Sequence, residues 1–231
     1  TKLENHKIAY GTKNMAKEPA MTREEAEKAM EVGIEKVREL SGQGYKIIAT
    51  GEMGIGNTTT SSALASYFLQ EDVEKMTGRG AGLTSKALEK KIAVVRKAIA
   101  DYSPAFTDAI DALAALGGFD IAGMAGVFLG GAIYRVPIVM DGFISSTAAL
   151  TATRICPACK DFIMASHVSK EPAAEKILAA MDKEAALHCD MCLGEGTGAV
   201  TLFPVLDMAA AVYHSMSTFE DIHVEQYEEL K

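Results

Sequence analysis

The stretch YKIIATGEMGIGNTT (45–59) decides the fold, because an apolar run passes directly into a Gly-rich loop. The segment 61–69 that follows has the composition of a helix, so the loop joins a buried strand to a helix. At such a junction, free backbone N–H groups and the helix dipole favour an anion. The stretch therefore predicts a phosphate site. The alternative interpretation is a Gly-rich connection without a ligand.

The same loop resembles the phosphate loop of nucleoside triphosphatases but lacks its lysine. It matches GxxxxGK[ST] at every position except the lysine, where Asn57 stands. Because the lysine contacts the β and γ phosphates, its absence argues against a triphosphatase. A site for a monophosphate remains consistent with the loop.

The rest of the chain alternates between apolar strands and helical segments. This alternation predicts an α/β fold with a mainly parallel sheet. We expect strands at 45–50 and 135–143, and a third strand that passes into a polar loop within 161–172. We expect helices at 22–40, 85–100, 104–116, 121–132, 145–153, 171–182 and through 208–216.

Composition and charge exclude several classes of protein. The 231 residues are 48% hydrophobic and carry a net charge of −8, which excludes a disordered chain and disfavours general nucleic-acid binding. A local positive site for a small anion remains possible on such a body. The least charged run, 121–134, is too short to span a bilayer, and the N-terminus has no signal-peptide pattern. Four cysteines without such a signal indicate free thiols in the cytoplasm.

Two acidic residues stand next to glycines in positions that suit chemistry. Glu195 lies in Gly194-Glu195-Gly196, where flanking glycines leave its side chain accessible. It is a candidate general base, and a helix N-terminal glutamate is the alternative. Asp141 follows an apolar strand, so we expect it on the same rim as Glu52. The alternative for Asp141 is a cap of the next helix.

His167 and the cysteine pairs carry weaker predictions. His167 lies after a third apolar strand and is either an acid or base, or a structural histidine. Cys156/Cys159 and Cys189/Cys192 have the spacing of a zinc site. We favour buried free thiols over zinc for these cysteines, and a redox pair is the weakest interpretation.

Six ordered motifs together resemble one enzyme family. They are GEMGIGNTT, TGRGAGL, GFDIAGMAG, VPIVMDGF, SHVSKEP and LGEGTGA, and the resemblance extends from 11–26 to about Phe219. The family that these motifs resemble is the nicotinate-nucleotide–dimethylbenzimidazole phosphoribosyltransferases. This implies a three-layer, Rossmann-like sheet flanked by helices in a large domain of about 40–205. It also implies a small helical lobe from 1–40 and 206–231.

The resemblance implies roles for residues of these motifs. Glu195 would be the catalytic base that takes a proton from the benzimidazole, and Glu52 would be the acidic residue of the first loop. The positions implied to bind substrate are Met53, Gly54, Asn57, Thr58, Gly78, Gly80, Lys91, Asp141, Gly142, Ser169, Leu193 and Gly194. No metal or cofactor is implied.

The family resemblance also implies partners. They are nicotinate mononucleotide and a benzimidazole-type base, in a cytoplasmic homodimer without nucleic acid or membrane. Family members begin upstream with a segment that contributes to the base pocket, and we expect that segment to be absent here. A silent nucleotide-binding fragment and a zinc-stabilised structural domain are the two alternatives from other classes.

Overall fold

The computed structural model describes residues 3–225, and within that range the chain forms nine α-helices and three short strands. The strands are β1 (Ile48–Ala49), β2 (Ile138–Met140) and β3 (Ile163–Ala165). The helices are α1 (Arg23–Gly42), α2 (Asn57–Leu69), α3 (Val73–Met76), α4 (Ser85–Tyr102), α5 (Ala109–Leu116), α6 (Phe119–Tyr134), α7 (Phe143–Ile155), α8 (Ala174–Ala180) and α9 (Thr197–Ser215).

The three strands form a parallel sheet in the order β1-β2-β3, as the alternation of elements predicts. Ile138 and Met140 belong to the main core, whereas Val139 packs on the opposite face against Ala199 and Leu202 of α9. Helices therefore cover both faces, and the predicted three-layer α/β arrangement is confirmed. Because the strands are parallel, the loops that follow them meet at one edge of the sheet.

Helix α1 begins at a capping box, in which Thr22 and Glu25 exchange hydrogen bonds, and α1 packs along α6. Glycines make this close approach possible, because a Cβ on Gly33 would overlap the carbonyl oxygen of Gly123. A Cβ on Gly126 would likewise overlap the carbonyl oxygen of Met30. The small residues of the least charged run therefore serve helix packing. Within residues 3–225, no helix is long and apolar enough to cross a membrane.

The structure corrects several predicted boundaries. The predicted helix 104–116 is wrong in its first part, because the backbone leaves helical geometry before α5. The Asp108 side chain accepts hydrogen bonds from the N–H groups of Ile110 and Asp111, so α5 begins at Ala109. Strands β1 and β2 are shorter than 45–50 and 135–143, and α8 is shorter than 171–182.

The second half of α9 projects with little cover. Met208, Val212 and Tyr213 of this half, and Met216 directly after it, are all more than half exposed. This segment belongs to the predicted small lobe, of which residues 1–2 and 226–231 lie outside the described residues. The division into a large domain and a lobe stays a prediction.

Candidate active site

The loops after the three strands surround a cavity of about 760 Å³, within the range of small-molecule sites. We call it the larger cavity. Nine of the fourteen predicted site residues line it: Glu52, Gly54, Thr58, Gly78, Gly80, Gly142, Ser169, Leu193 and Gly194. The motifs that the sequence separates by more than a hundred residues thus meet in one place.

Two more predicted residues line an adjoining cavity. This smaller cavity has a volume of about 510 Å³ and is lined by Met53 and Glu195. Glu52 lines both cavities and therefore stands between them. The remaining predicted residues, Asn57, Lys91 and Asp141, line neither cavity.

Helix α2 directs an open N-terminus at the larger cavity. Gly56 adopts a left-handed backbone with φ of 87° at the N-cap, and no side chain caps the helix there. Gly54 and Thr58, on either side of it, line the cavity. Uncapped N–H groups at a helix N-terminus suit an anion, so the geometry supports the predicted phosphate site.

Asn57, in the position of the missing lysine, holds Glu52 in place. Its side-chain nitrogen donates hydrogen bonds to Glu52 Oε2 at 2.7 Å and to Asp120 Oδ2 at 2.8 Å. Burial raises the pKa of the Glu52 carboxyl, and the Asn57 hydrogen bond opposes that shift. The charges of neighbouring carboxylates raise the same pKa further. Asn57 is thus a support of the acidic residue between the cavities.

Lys91 connects the first two Gly-rich loops from behind. Its Nζ donates hydrogen bonds to Thr58 Oγ1 and to the Gly78 carbonyl, each at 3.0 Å. The residue is only 7% exposed, and this burial lowers the pKa of the amine while the charge of Glu171 opposes the shift. Lys91 therefore sets the spacing of the loops that line the cavity.

Glu195 lies in a strained turn. Gly194, Glu195 and Gly196 have φ values of 78°, 59° and 78°, all in the left-handed region. Such a backbone favours glycine on both sides of the acidic residue. The N–H of Glu195 donates to the Glu52 carbonyl at 3.1 Å, so the two acidic loops are joined directly.

Asp141 stabilises this turn and is not open to the larger cavity. It is 2% exposed, and its oxygens accept hydrogen bonds from the N–H groups of Gly196, Gly198 and Ala199 at 2.8–3.2 Å. The alternative prediction, that Asp141 caps the helix that follows it in sequence, α7, is wrong. Asp141 caps α9, so the N-terminus of α9 is occupied by protein.

His167, a candidate acid or base outside the predicted site residues, also lines the larger cavity. It is 5% exposed, and this burial lowers the pKa of the imidazole while the charge of Asp141 opposes the shift. A neutral histidine in a cavity wall suits hydrogen bonding to a ligand more than charge pairing.

Further lining residues escaped the sequence analysis. Arg79 stands inside the second Gly-rich loop and Lys170 inside SHVSKEP, so a cation within a Gly-rich or polar motif was the available signal. The guanidinium of Arg79 donates to the Leu83 carbonyl at 2.7 Å, which holds it at the rim. The other residues missed are Thr77, Ala81, Leu88, Phe143, Ile144, Glu171 and Pro172. Cys192, which the sequence pairs with Cys189, also lines the cavity.

The four cysteines differ in exposure. Cys159 is buried, Cys156 is half-buried, and Cys189 and Cys192 are exposed, all as free thiols. No group of three or more metal-ligating side chains comes together in the part of the chain that the structure describes. The prediction of buried thiols holds for Cys159, whose thiol pKa burial raises to about 12, and fails for Cys189 and Cys192.

Comparison with known proteins agrees with these motifs. A family model described as phosphoribosyltransferase matches residues 1–224. A nicotinate-nucleotide–dimethylbenzimidazole phosphoribosyltransferase of Clostridium acetobutylicum is 54% identical over 227 residues, which are 98% of this chain and 64% of that protein. The chain belongs to this phosphoribosyltransferase family. A relative of the same name from Ruminiclostridium cellulolyticum is 51% identical, with the same coverage of each chain.

Solved structures of the phosphoribosyltransferase family share the fold. CobT of Thermus thermophilus aligns with a TM-score of 0.91 at 38% identity, over 97% of this chain and 67% of that one. A second structure, of the Thermus thermophilus nicotinate-nucleotide–dimethylbenzimidazole phosphoribosyltransferase, aligns with a TM-score of 0.87 at 37% identity, over 96% of this chain and 65% of that one. The chain thus spans about two thirds of the length of these phosphoribosyltransferases.

Proposed function

We propose that this chain transfers the phosphoribosyl group of nicotinate mononucleotide to dimethylbenzimidazole or a related base. The products are α-ribazole 5′-phosphate and nicotinate, and the reaction belongs to nucleotide-loop assembly in cobalamin synthesis. The observation that carries the proposal is the position of Glu52, which lines both adjoining cavities. A transfer between two substrates requires two adjoining sites, and Glu52 belongs to both cavities. Relatives at 51% and 54% identity bear the name of this activity.

The larger cavity is the proposed nucleotide site. The uncapped N-terminus of α2 and the glycines of the first two loops suit the 5′-phosphate. Arg79 and Lys170 add positive charge to the lining of an otherwise acidic chain. We assign the substrate-binding role to the predicted residues that line this cavity, with Lys91, Asn57 and Asp141 as supports behind it.

The smaller cavity is the proposed site of the base. Met53 and Val200 offer it apolar contact, and Glu195 supplies a carboxylate. The Glu195 carboxylate accepts the N–H proton of the benzimidazole, while the other ring nitrogen of the benzimidazole attacks C1′ of the nucleotide. The bond from C1′ to nicotinate breaks, and its electron pair returns to the pyridine ring. The transition state carries positive charge at C1′, which the carboxylate of Glu52 stabilises.

Two further parts of the proposal concern the whole protein. We propose a homodimer, because the exposed apolar side chains of α9 offer a surface that a second copy could bury. We propose a cytoplasmic location, because all four cysteines are free thiols.

A direct assay tests the proposed activity. The purified chain is mixed with nicotinate mononucleotide and dimethylbenzimidazole, and nicotinate and α-ribazole 5′-phosphate are separated by chromatography. We expect both products in equal amounts, and a Glu184→Gln control should match the wild type because Glu184 is exposed and outside both cavities. Nucleotide binding without either product would contradict the proposal and favour a silent binding fragment.

A further inference from the structure

We infer that His167 is a ligand-binding residue of the larger cavity, where its Nε2 accepts a hydrogen bond from a ribose hydroxyl of the bound nucleotide. The inference rests on the proposed function, since that function places a ribonucleotide in this cavity. Three features carry it: the position of the proton on the ring, the surroundings of Nε2, and the donors that the ligand offers.

The proton of the imidazole is held on Nδ1. The hydroxyl of Ser166 donates its own hydrogen to the Met140 carbonyl at 2.7 Å. Its oxygen then serves as the acceptor in the 3.0 Å contact with His167 Nδ1. Since Nδ1 donates in that contact, the neutral ring carries a lone pair on Nε2.

Asp141 does not compete for this proton. Its Oδ1 lies 3.9 Å from His167 Nδ1, and both of its oxygens already accept backbone hydrogen bonds from the start of α9. The ring is also fixed in place, because a Cβ on Gly198 would overlap Nδ1. The backbone N–H of Val168 donates to the Leu187 carbonyl at 3.1 Å, which fixes the backbone next to His167.

Nε2 lies on the side of the ring that faces the cavity. A Cβ on Gly142 would lie 3.5 Å from Nε2, and the Cβ of Ser169 lies 3.7 Å from that position. Gly142 and Ser169 both line the larger cavity, whereas Gly198, on the Nδ1 side, does not. Among residues 3–225, Nε2 has no hydrogen-bond partner although the residue is 5% exposed. Within the described residues, Nε2 is not among the fully buried side-chain atoms without a partner, so it is accessible from the cavity. A ligand donor can therefore replace water as its partner.

The chemistry of the nucleotide identifies that donor. The pyridinium ring and carboxylate of nicotinate mononucleotide carry no N–H or O–H at pH 8. The phosphate is a dianion there, since its second pKa is about 6. The ribose hydroxyls are therefore the donors that remain. His167 would then distinguish a ribonucleotide from an analogue that lacks the contacted hydroxyl.

Calorimetric titration of the wild type at pH 8 tests the inference without any substitution. The ligands are nicotinate mononucleotide and its 2′-deoxy and 3′-deoxy analogues. We expect one analogue to bind about tenfold more weakly, as for a buried acceptor left unpaired. Binding of both analogues within about twofold of the parent nucleotide would overturn the inference.

Two substitutions assign the discrimination to Nε2. His167→Asn keeps a donor near Nδ1 for Ser166 but places no acceptor at Nε2, whereas His167→Gln places an amide oxygen near Nε2. We expect the Asn variant to bind the parent and analogues within about twofold of each other, and the Gln variant to keep part of the tenfold preference. An Asn variant with the full preference would overturn the inference, and melting temperatures verify that both variants fold.

The outcome is separable from that of the proposed function. A wild type that prefers the ribonucleotide but releases no nicotinate with the base would contradict the proposed function and support the role of His167. A wild type that forms product but binds the deoxy analogues as tightly as the parent nucleotide would support the proposed function and contradict the role of His167.

Discussion

The carboxylate of Asp141 accepts a hydrogen bond from the backbone N–H of Gly196 at 3.0 Å. This bond joins the end of β2 to the residue that follows the proposed base in sequence. Gly196 is the last of three successive residues with a left-handed backbone, 194–196, and such a turn persists only when its surroundings hold it. Asp141 is therefore a positioning residue for the proposed base Glu195.

Substitution Asp141→Asn is expected to lower kcat far more than it raises KM. Asparagine has one acceptor oxygen, so at least one of the three N–H groups loses its partner and the turn loosens. We expect kcat to fall about 100-fold, KM to change less than about threefold, and the free energy of unfolding to fall by about 2 kcal/mol. Steady-state kinetics and urea unfolding measure these effects. The exposed Asp182→Asn is the control, and a rise in KM at unchanged kcat would contradict the positioning role.

The raised pKa of Glu52 predicts a pH dependence of stability. Between 4.5, the ordinary pKa of a glutamate carboxyl, and the higher pKa in the folded chain, the folded state binds more protons than the unfolded state. Stability therefore falls as pH rises through that window and stays lower at neutral pH. Substitution Glu52→Gln should raise the melting temperature at pH 7, because it removes the cost of keeping this half-buried carboxylate charged.

The comparison at acid pH provides the control for Glu52. About one pH unit or more below 4.5, the wild-type carboxyl is largely protonated in both states, so wild type and Glu52→Gln should melt at similar temperatures. A constant difference between the two melting temperatures from pH 4 to pH 7 would show that burial of this charge does not cause the effect.

Lys91 should matter for nucleotide binding through the loops that it connects. Substitution Lys91→Met removes the donors to Thr58 Oγ1 and the Gly78 carbonyl and keeps the volume of the side chain. We expect KM for nicotinate mononucleotide to rise about tenfold, a cost typical of lost charged hydrogen bonds. The neighbouring Lys90 is exposed, so Lys90→Met is the matched control. Equal effects of the two substitutions would exclude a specific role for the buried amine.

The contact of α1 with α6 predicts a large loss of stability at Gly33. Substitution Gly33→Ala places a methyl group against the backbone of Gly123, and two packed helices must separate to admit it. We expect the free energy of unfolding to fall by about 3 kcal/mol or more. Gly42 lies at the end of the same helix with open space around it, so Gly42→Ala should be neutral or slightly stabilising. Denaturant unfolding of both variants checks the pair.

Much of this architecture could be predicted from local pattern. The run 45–50 is apolar and ends at glycine, which is sufficient to predict β1, the loop and α2. The pairing of three such runs in parallel then follows from the helices between them. Strand length could not be predicted in this way, because Ile48–Ala49 pairs with β2 over only two residues. The number of residues that pair in a strand depends on tertiary contacts, which local pattern does not contain.

The supporting residues of the site lay beyond local pattern. Asp141 and the N–H groups that it binds are separated by 55–58 residues, and hydrophobic periodicity contains no information about such a contact. The burial of Lys91 is hidden for the same reason, since lysine usually marks an exposed face of a helix. The start of α5 was within reach, because Asp108 before an apolar helix is a recognised N-cap signal.

The most direct test of the account is the Glu195→Gln variant measured for both binding and turnover. Glutamine keeps the shape of the side chain but cannot accept the proton of the base. We predict that kcat falls about a thousandfold, in the range for loss of a general base, while calorimetry gives a dissociation constant for nicotinate mononucleotide within about threefold of the wild type. A variant that retains turnover, or one that loses nucleotide binding as much as rate, would contradict the assignment of Glu195 as the base.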